Sequence, residues 1–113
     1  MSVSIVAKGE TITACLEGEI DHHTAAEIRT TIDKAVEENK PTLLVLDFKN
    51  VSFMDSSGIG LVMGRYKIIN EFGGELAITN TSPQIGKVMK LAGMERLAKI
   101  GMEEQTNETV KQF

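Results

Sequence analysis

The segment 42–48, TLLVLDF, holds four consecutive apolar residues, 43–46, bounded by Thr42 and Asp47. A strand wetted on one face alternates apolar and polar side chains. Apolar residues at successive positions belong instead to a strand covered on both faces, as at the centre of an α/β sheet. The rest of the chain has to supply the strands and helices that surround it.

Upstream, VSIVA and TITACLEG flank Lys8-Gly9-Glu10, a compact turn between two strands. Ile12, Ala14 and Leu16 alternate with Thr11, Thr13, Cys15 and Glu17, the period of a half-buried strand. Thr24 followed by Glu27 fits a capping box, and Ile28, Ile32, Ala35 and Val36 recur at helical spacing. A helix over roughly 25–38 is expected, stopped before Pro41. Downstream, Ile59, Val62, Met63 and Tyr66 form a second helical stripe that ends at Gly73-Gly74. ELAIT reads as a strand. Ser82-Pro83 is an N-cap and first-turn pair, leading a face of Ile85, Val88, Met89 and Ala92. LAKIG reads as a short strand, and Met102, Thr106, Val110 and Phe113 share one side of a weak amphipathic helix. The order β-β-α-β-α-β-α-β-α predicts an α/β fold: a mixed sheet of four to five strands packed with about four helices, one domain over 1–113.

With one Tyr, four Phe and no Trp, the core must be aliphatic. A formal net charge of −4 argues against nucleic acid or an anionic membrane surface as partner. No apolar run is long enough to span a bilayer, and no basic-then-apolar leader opens the chain. The lone Cys15 cannot form an internal disulfide. A cytoplasmic monomer is expected.

In such a sheet, function gathers at the loops where strands end and helices begin. Two polar segments fall there, Asp21-His22-His23-Thr24 and Asp55-Ser56-Ser57-Gly58. A serine hydrolase would need a nucleophile elbow, but MDSSG lacks the glycine two residues before the nucleophile of GxSxG. Asp21, His22 and His23 are metal-donor types without metal-ligand spacing, so no metal is expected. Gly58, Gly60 and Gly64 miss the GxGxxG register, and no GK[ST] follows, so no nucleotide cofactor is expected. Gly60 and Gly64 read instead as places where the helix crosses the sheet closely.

Two readings of the serines remain. Either Ser56 or Ser57 caps the helix, contributing about 1 kcal/mol, or one of them carries a phosphate. A helix N-terminus accepts an anion, so a phosphoserine there leaves the fold standing. It also adds about −1.5 to −2 charges beside Asp55, which remakes the surface a partner meets. The pattern alone leaves cap and switch both open.

GEIDHHTA, SFMDSSGIG and GRYK, in this order and spacing, resemble the anti-sigma factor antagonists, small bacterial STAS-domain proteins. DHHTA with MDSSG is most similar to the sporulation branch that serves sigma F. The resemblance covers nearly the whole chain and is weakest after Gly101. It implies a non-enzymatic protein that binds an anti-sigma factor, itself an ATP-dependent serine kinase, and so releases the sigma factor. It implies phosphorylation of Ser56 by that kinase, loss of binding, and reversal by a PP2C-type phosphatase. Asp21, Asp55, Ser56, Ser57, Gly58 and Gly60 would line the docking surface, with Ser57 a loop and capping residue. The competing readings are a STAS module of a general-stress or other partner-switching pathway, and a small serine hydrolase.

Overall fold

Strands β1 (Ser2–Lys8) and β2 (Thr11–Ile20) form an antiparallel hairpin turned at Gly9, whose φ of +59° suits glycine. The computed structural model describes residues 2–96 and 99–100 of the 113. β2 is followed by helix α1 (His22–Asn39), strand β3 (Leu43–Met54) and helix α2 (Ser56–Glu71). Strand β4 (Glu75–Thr79), helix α3 (Pro83–Leu91), a 3-10 turn at Met94–Arg96 and the short strand β5 (Lys99–Ile100) complete the order. The sheet runs β1-β2-β3-β4-β5, antiparallel at β1–β2 and parallel elsewhere. The expected mixed α/β sheet is present; the helix expected over 102–113 lies outside the described residues.

The central run behaves as its composition requires. Leu44, Val45 and Leu46 are all buried, and β4 beside them is buried from Leu76 to Thr79. Ile12, Ala14 and Leu16 of β2 join Leu44, Leu46 and Phe48 of β3 in one core. Ile28, Ile32, Ala35 and Val36 of α1 close over it, as their spacing predicts.

Two helical faces differ from expectation. On α2 the buried set is Gly58, Leu61, Val62, Arg65 and Ile69, while Met63 is 47% exposed and Ile59 and Tyr66 are only partly covered. α2 packs against α1 as well as the sheet, so its buried stripe is rotated and includes a charged residue. On α3 the buried residues are Ile85, Gly86 and Met89, leaving Val88 and Ala92 outside.

β2 and β3 project past their neighbours. The last β3–β4 pair is Asp47↔Thr79, yet β3 continues to Met54, where among the described residues it pairs with β2. Ile20↔Met54 is the final pair, so the starts of α1 and α2 stand side by side at the tip of this ribbon.

Candidate functional site

At the start of α2 the cap is Asp55, not a serine. Its backbone is extended (φ −97°, ψ −169°), and its Oδ1 accepts the Ser57 backbone N–H at 2.8 Å. A carboxylate satisfies an orphan N–H of the first turn and also complements the helix dipole, which a hydroxyl does less well. The expectation that Ser56 or Ser57 caps is thereby corrected. Ser56 becomes the first helical residue and is exposed; Ser57 is second and half-buried.

The cap of α1 also lies earlier than the Thr24–Glu27 pattern suggested. Asp21 is the N-cap and Thr24 occupies the third helical position. Asp21 Oδ1 accepts the N–H groups of His23 (2.9 Å) and Thr24 (3.0 Å), and Thr24 Oγ1 accepts the Asp21 N–H at 2.9 Å. Thr24 Oγ1 donates to the Glu19 carbonyl at 3.0 Å, tying the box to the end of β2. The Thr24 N–H foremost, joined by that of His23, holds the Asp21 carboxyl below its ordinary value against an opposing desolvation. His22 and His23 are exposed, their rings edge-on at 5.8 Å.

Strand pairing joins the two starts. The Asp55 N–H donates to the Ile20 carbonyl at 3.1 Å. Asp21, Asp55, Ser56 and Ser57 therefore gather at one end of the β2–β3 ribbon, with Gly58 and Gly60 in the first turns of α2.

The three glycines of α2 have different reasons. A Cβ at Gly58 would collide with the Met54 side chain, so any larger residue there needs that side chain to move. At Gly60 and Gly64 a Cβ would meet nothing within 4 Å. The close crossing expected at those two positions is absent. Each costs the helix roughly 0.5–1 kcal/mol relative to alanine, with no packing return inside the fold.

Both instead line a notch of about 350 Å³ between α1 and α2, together with Ala25, Arg29, Ser57 and Arg65. Arg65 is 4% exposed, and its Nε lies 2.8 Å from Asp33 Oδ1 of α1. Burial pushes the Asp33 carboxyl up more than Arg65 and Arg29 pull it down, and burial likewise lowers Arg65. Desolvation thus outweighs the ion pair on both partners. Arg65 Nη1 is buried with no hydrogen-bond partner among the described residues. The notch lies outside what periodicity reveals, because a basic residue in an amphipathic helix reads as surface. Its available signal was two interior helix glycines four residues apart, followed at once by an arginine.

Among the described residues no helix is long and apolar enough to cross a membrane. The STAS domain model matches residues 3–109. An anti-sigma F factor antagonist of Paenibacillus polymyxa is 40% identical over 85 residues, covering 75% of this chain and 73% of the relative. The anti-sigma factor antagonist SpoIIAA in its unphosphorylated form superposes with a TM-score of 0.78 at 31% identity, covering 95% of this chain and 90% of that one. The Bacillus cell fate determinant SpoIIAA in its phosphorylated form gives 0.72 at 32% identity, covering 95% and 94%. With its sheet order, its paired helix starts and these likenesses, the chain belongs to the STAS domain family, in the group of anti-sigma factor antagonists.

Proposed function

We propose that this protein binds an anti-sigma factor through the paired helix starts and that phosphorylation of Ser56 ends the binding. The observation that carries the reading is the position of Ser56: exposed at the first helical residue, directly after the capping Asp55. A kinase reaches an exposed hydroxyl, while the half-buried Ser57 is screened. The phosphate would sit where free N–H groups and the helix dipole favour an anion, so the fold tolerates it. Further support comes from SpoIIAA, a fold relative known in both phosphorylated and unphosphorylated forms.

Asp21, Asp55, Ser56, Ser57, Gly58 and Gly60 form the docking surface in this reading. The anti-sigma factor is also the serine kinase, and a PP2C-type phosphatase restores the antagonist, a monomer of the cytoplasm without catalysis of its own. A phosphate added at such an interface needs to remove only about 3 kcal/mol of binding to lower affinity more than a hundredfold.

Incubation with the cognate anti-sigma factor and ATP, followed by intact-mass spectrometry and fragmentation, tests the assignment. One phosphate on Ser56 is expected. Phosphate on Ser57, or none, overturns it.

A further inference from the structure

We infer that the notch between α1 and α2 receives an acidic side chain, Asp or Glu, from the docked anti-sigma factor. The inference rests on the docking reading above and names the chemistry of one of its contacts.

Three independent features converge on that occupant. First, Arg65 lines the notch from α2 with its guanidinium largely withdrawn from water and its Nε held by Asp33. A carboxylate is the geometric match of a guanidinium, and charge attraction is screened less where the site is partly withdrawn from water. Second, Arg29 lines the opposite wall from α1, while Asp33 offsets only one of the two guanidinium charges. Glu37, which also acts on Asp33, is not among the lining residues. The notch is thus locally cationic on a chain of net charge −4. Third, Gly60 and Gly64 keep its floor open although nothing in the fold would meet a Cβ there.

The location ties this contact to the switch. Ser57 lines the notch and Ser56 is its neighbour in the first turn of α2, so a phosphate on Ser56 would add negative charge close to the notch. An incoming carboxylate would meet like charge there. Phosphorylation then repels the group that the unmodified surface attracts.

The test is calorimetric titration of the cognate anti-sigma factor into the unphosphorylated wild type and into Gly64→Ala, Arg29→Glu and Arg29→Lys, at several salt concentrations. Gly64→Ala narrows the floor by one methyl and is expected to weaken binding several-fold, whereas Arg29→Glu reverses the charge and is expected to weaken it by about tenfold or more. Arg29→Lys should stay near wild type, and Arg29→Glu should flatten the salt dependence. Melting curves guard the result, since Gly64→Ala is expected to keep or raise the melting temperature. If the wild type binds and Gly64→Ala and Arg29→Glu bind within about twofold of it, the notch inference fails while the docking reading stands. A wild type that binds no anti-sigma factor removes both. Amide shifts at Gly60 and Gly64 on titrating inorganic phosphate, with partner affinity of the variants intact, would assign the notch to a free anion and overturn the inference.

Discussion

Asp55 donates its backbone N–H to the carbonyl of Ile20 at 3.1 Å, continuing the β2–β3 pairing so that two helix caps stand side by side. Asp21 follows Ile20 and caps α1, while Asp55 caps α2. The acidic tip is therefore a product of parallel pairing between β2 and β3. Each aspartate has a structural task before any partner arrives, which separates the effects of substituting them from those of substituting the serines.

Asp55→Ala removes the acceptor of the Ser57 N–H and is expected to cost about 1 kcal/mol of stability. Ser57→Ala leaves that bond in place, because the donor is the backbone, and should change stability by only a few tenths of a kcal/mol. Urea titrations of the two variants distinguish the caps. Equal losses would return the capping role to the serine.

The comparison of sequence with structure turns on coverage. LLVL in β3 announces itself because those residues are walled by β2, β4 and helices. From Lys49 to Met54 the same strand has, among the described residues, β2 as its one neighbour, and its mixed burial resembles a loop in composition. The α1 cap is ambiguous in the sequence because Asp21 and Thr24 are both good capping residues; in the structure Asp21 caps and the threonine takes the reciprocal role in the box. The serine pair was legible as a helix start, but which residue caps it depends on a backbone bend that spacing does not encode. Arg65 was illegible for another reason: its burial is decided by α1 packing on α2, a tertiary fact.

Ser56→Ala should bind the anti-sigma factor persistently in the presence of ATP, since it retains the cap and has no phosphate acceptor. Ser56→Asp should bind poorly by placing a negative charge at the first helical position, although one carboxylate carries less charge than a phosphate. Calorimetry with the wild type, both variants and stoichiometrically phosphorylated protein checks the order. Equal affinity of the phosphorylated and unmodified wild type would end the switch mechanism.

Acidification should reveal the Asp21 cap. Its folded pKa lies below the ordinary value, so its contribution is fully present above the unfolded pKa of about 3.9. That contribution disappears as pH falls through the lower, folded value. Asp33 acts in the opposite sense: its raised pKa keeps the proton in the folded state, so its contribution declines as pH rises through the ordinary carboxylate range. Asp21→Asn, which still caps but does not titrate, should therefore lose less stability than wild type between about pH 4.5 and 2.5. Denaturant midpoints across that range provide the measurement, and parallel pH profiles for the two proteins would refute the assignment.

The glycines of α2 yield a paired prediction that separates packing from openness. Gly58→Ala drives a methyl group into Met54 and should destabilise the fold by about 1–3 kcal/mol. Gly60→Ala meets nothing in the fold and should stabilise it by up to about 1 kcal/mol through helix propensity alone. The double variant Met54→Ala with Gly58→Ala decides the cause of the first loss. Removing the Met54 side chain opens the space the methyl needs, so the double variant should be more stable than the two single losses predict by addition. Additivity in that cycle would mean that the loss at Gly58 does not come from Met54 lying against it.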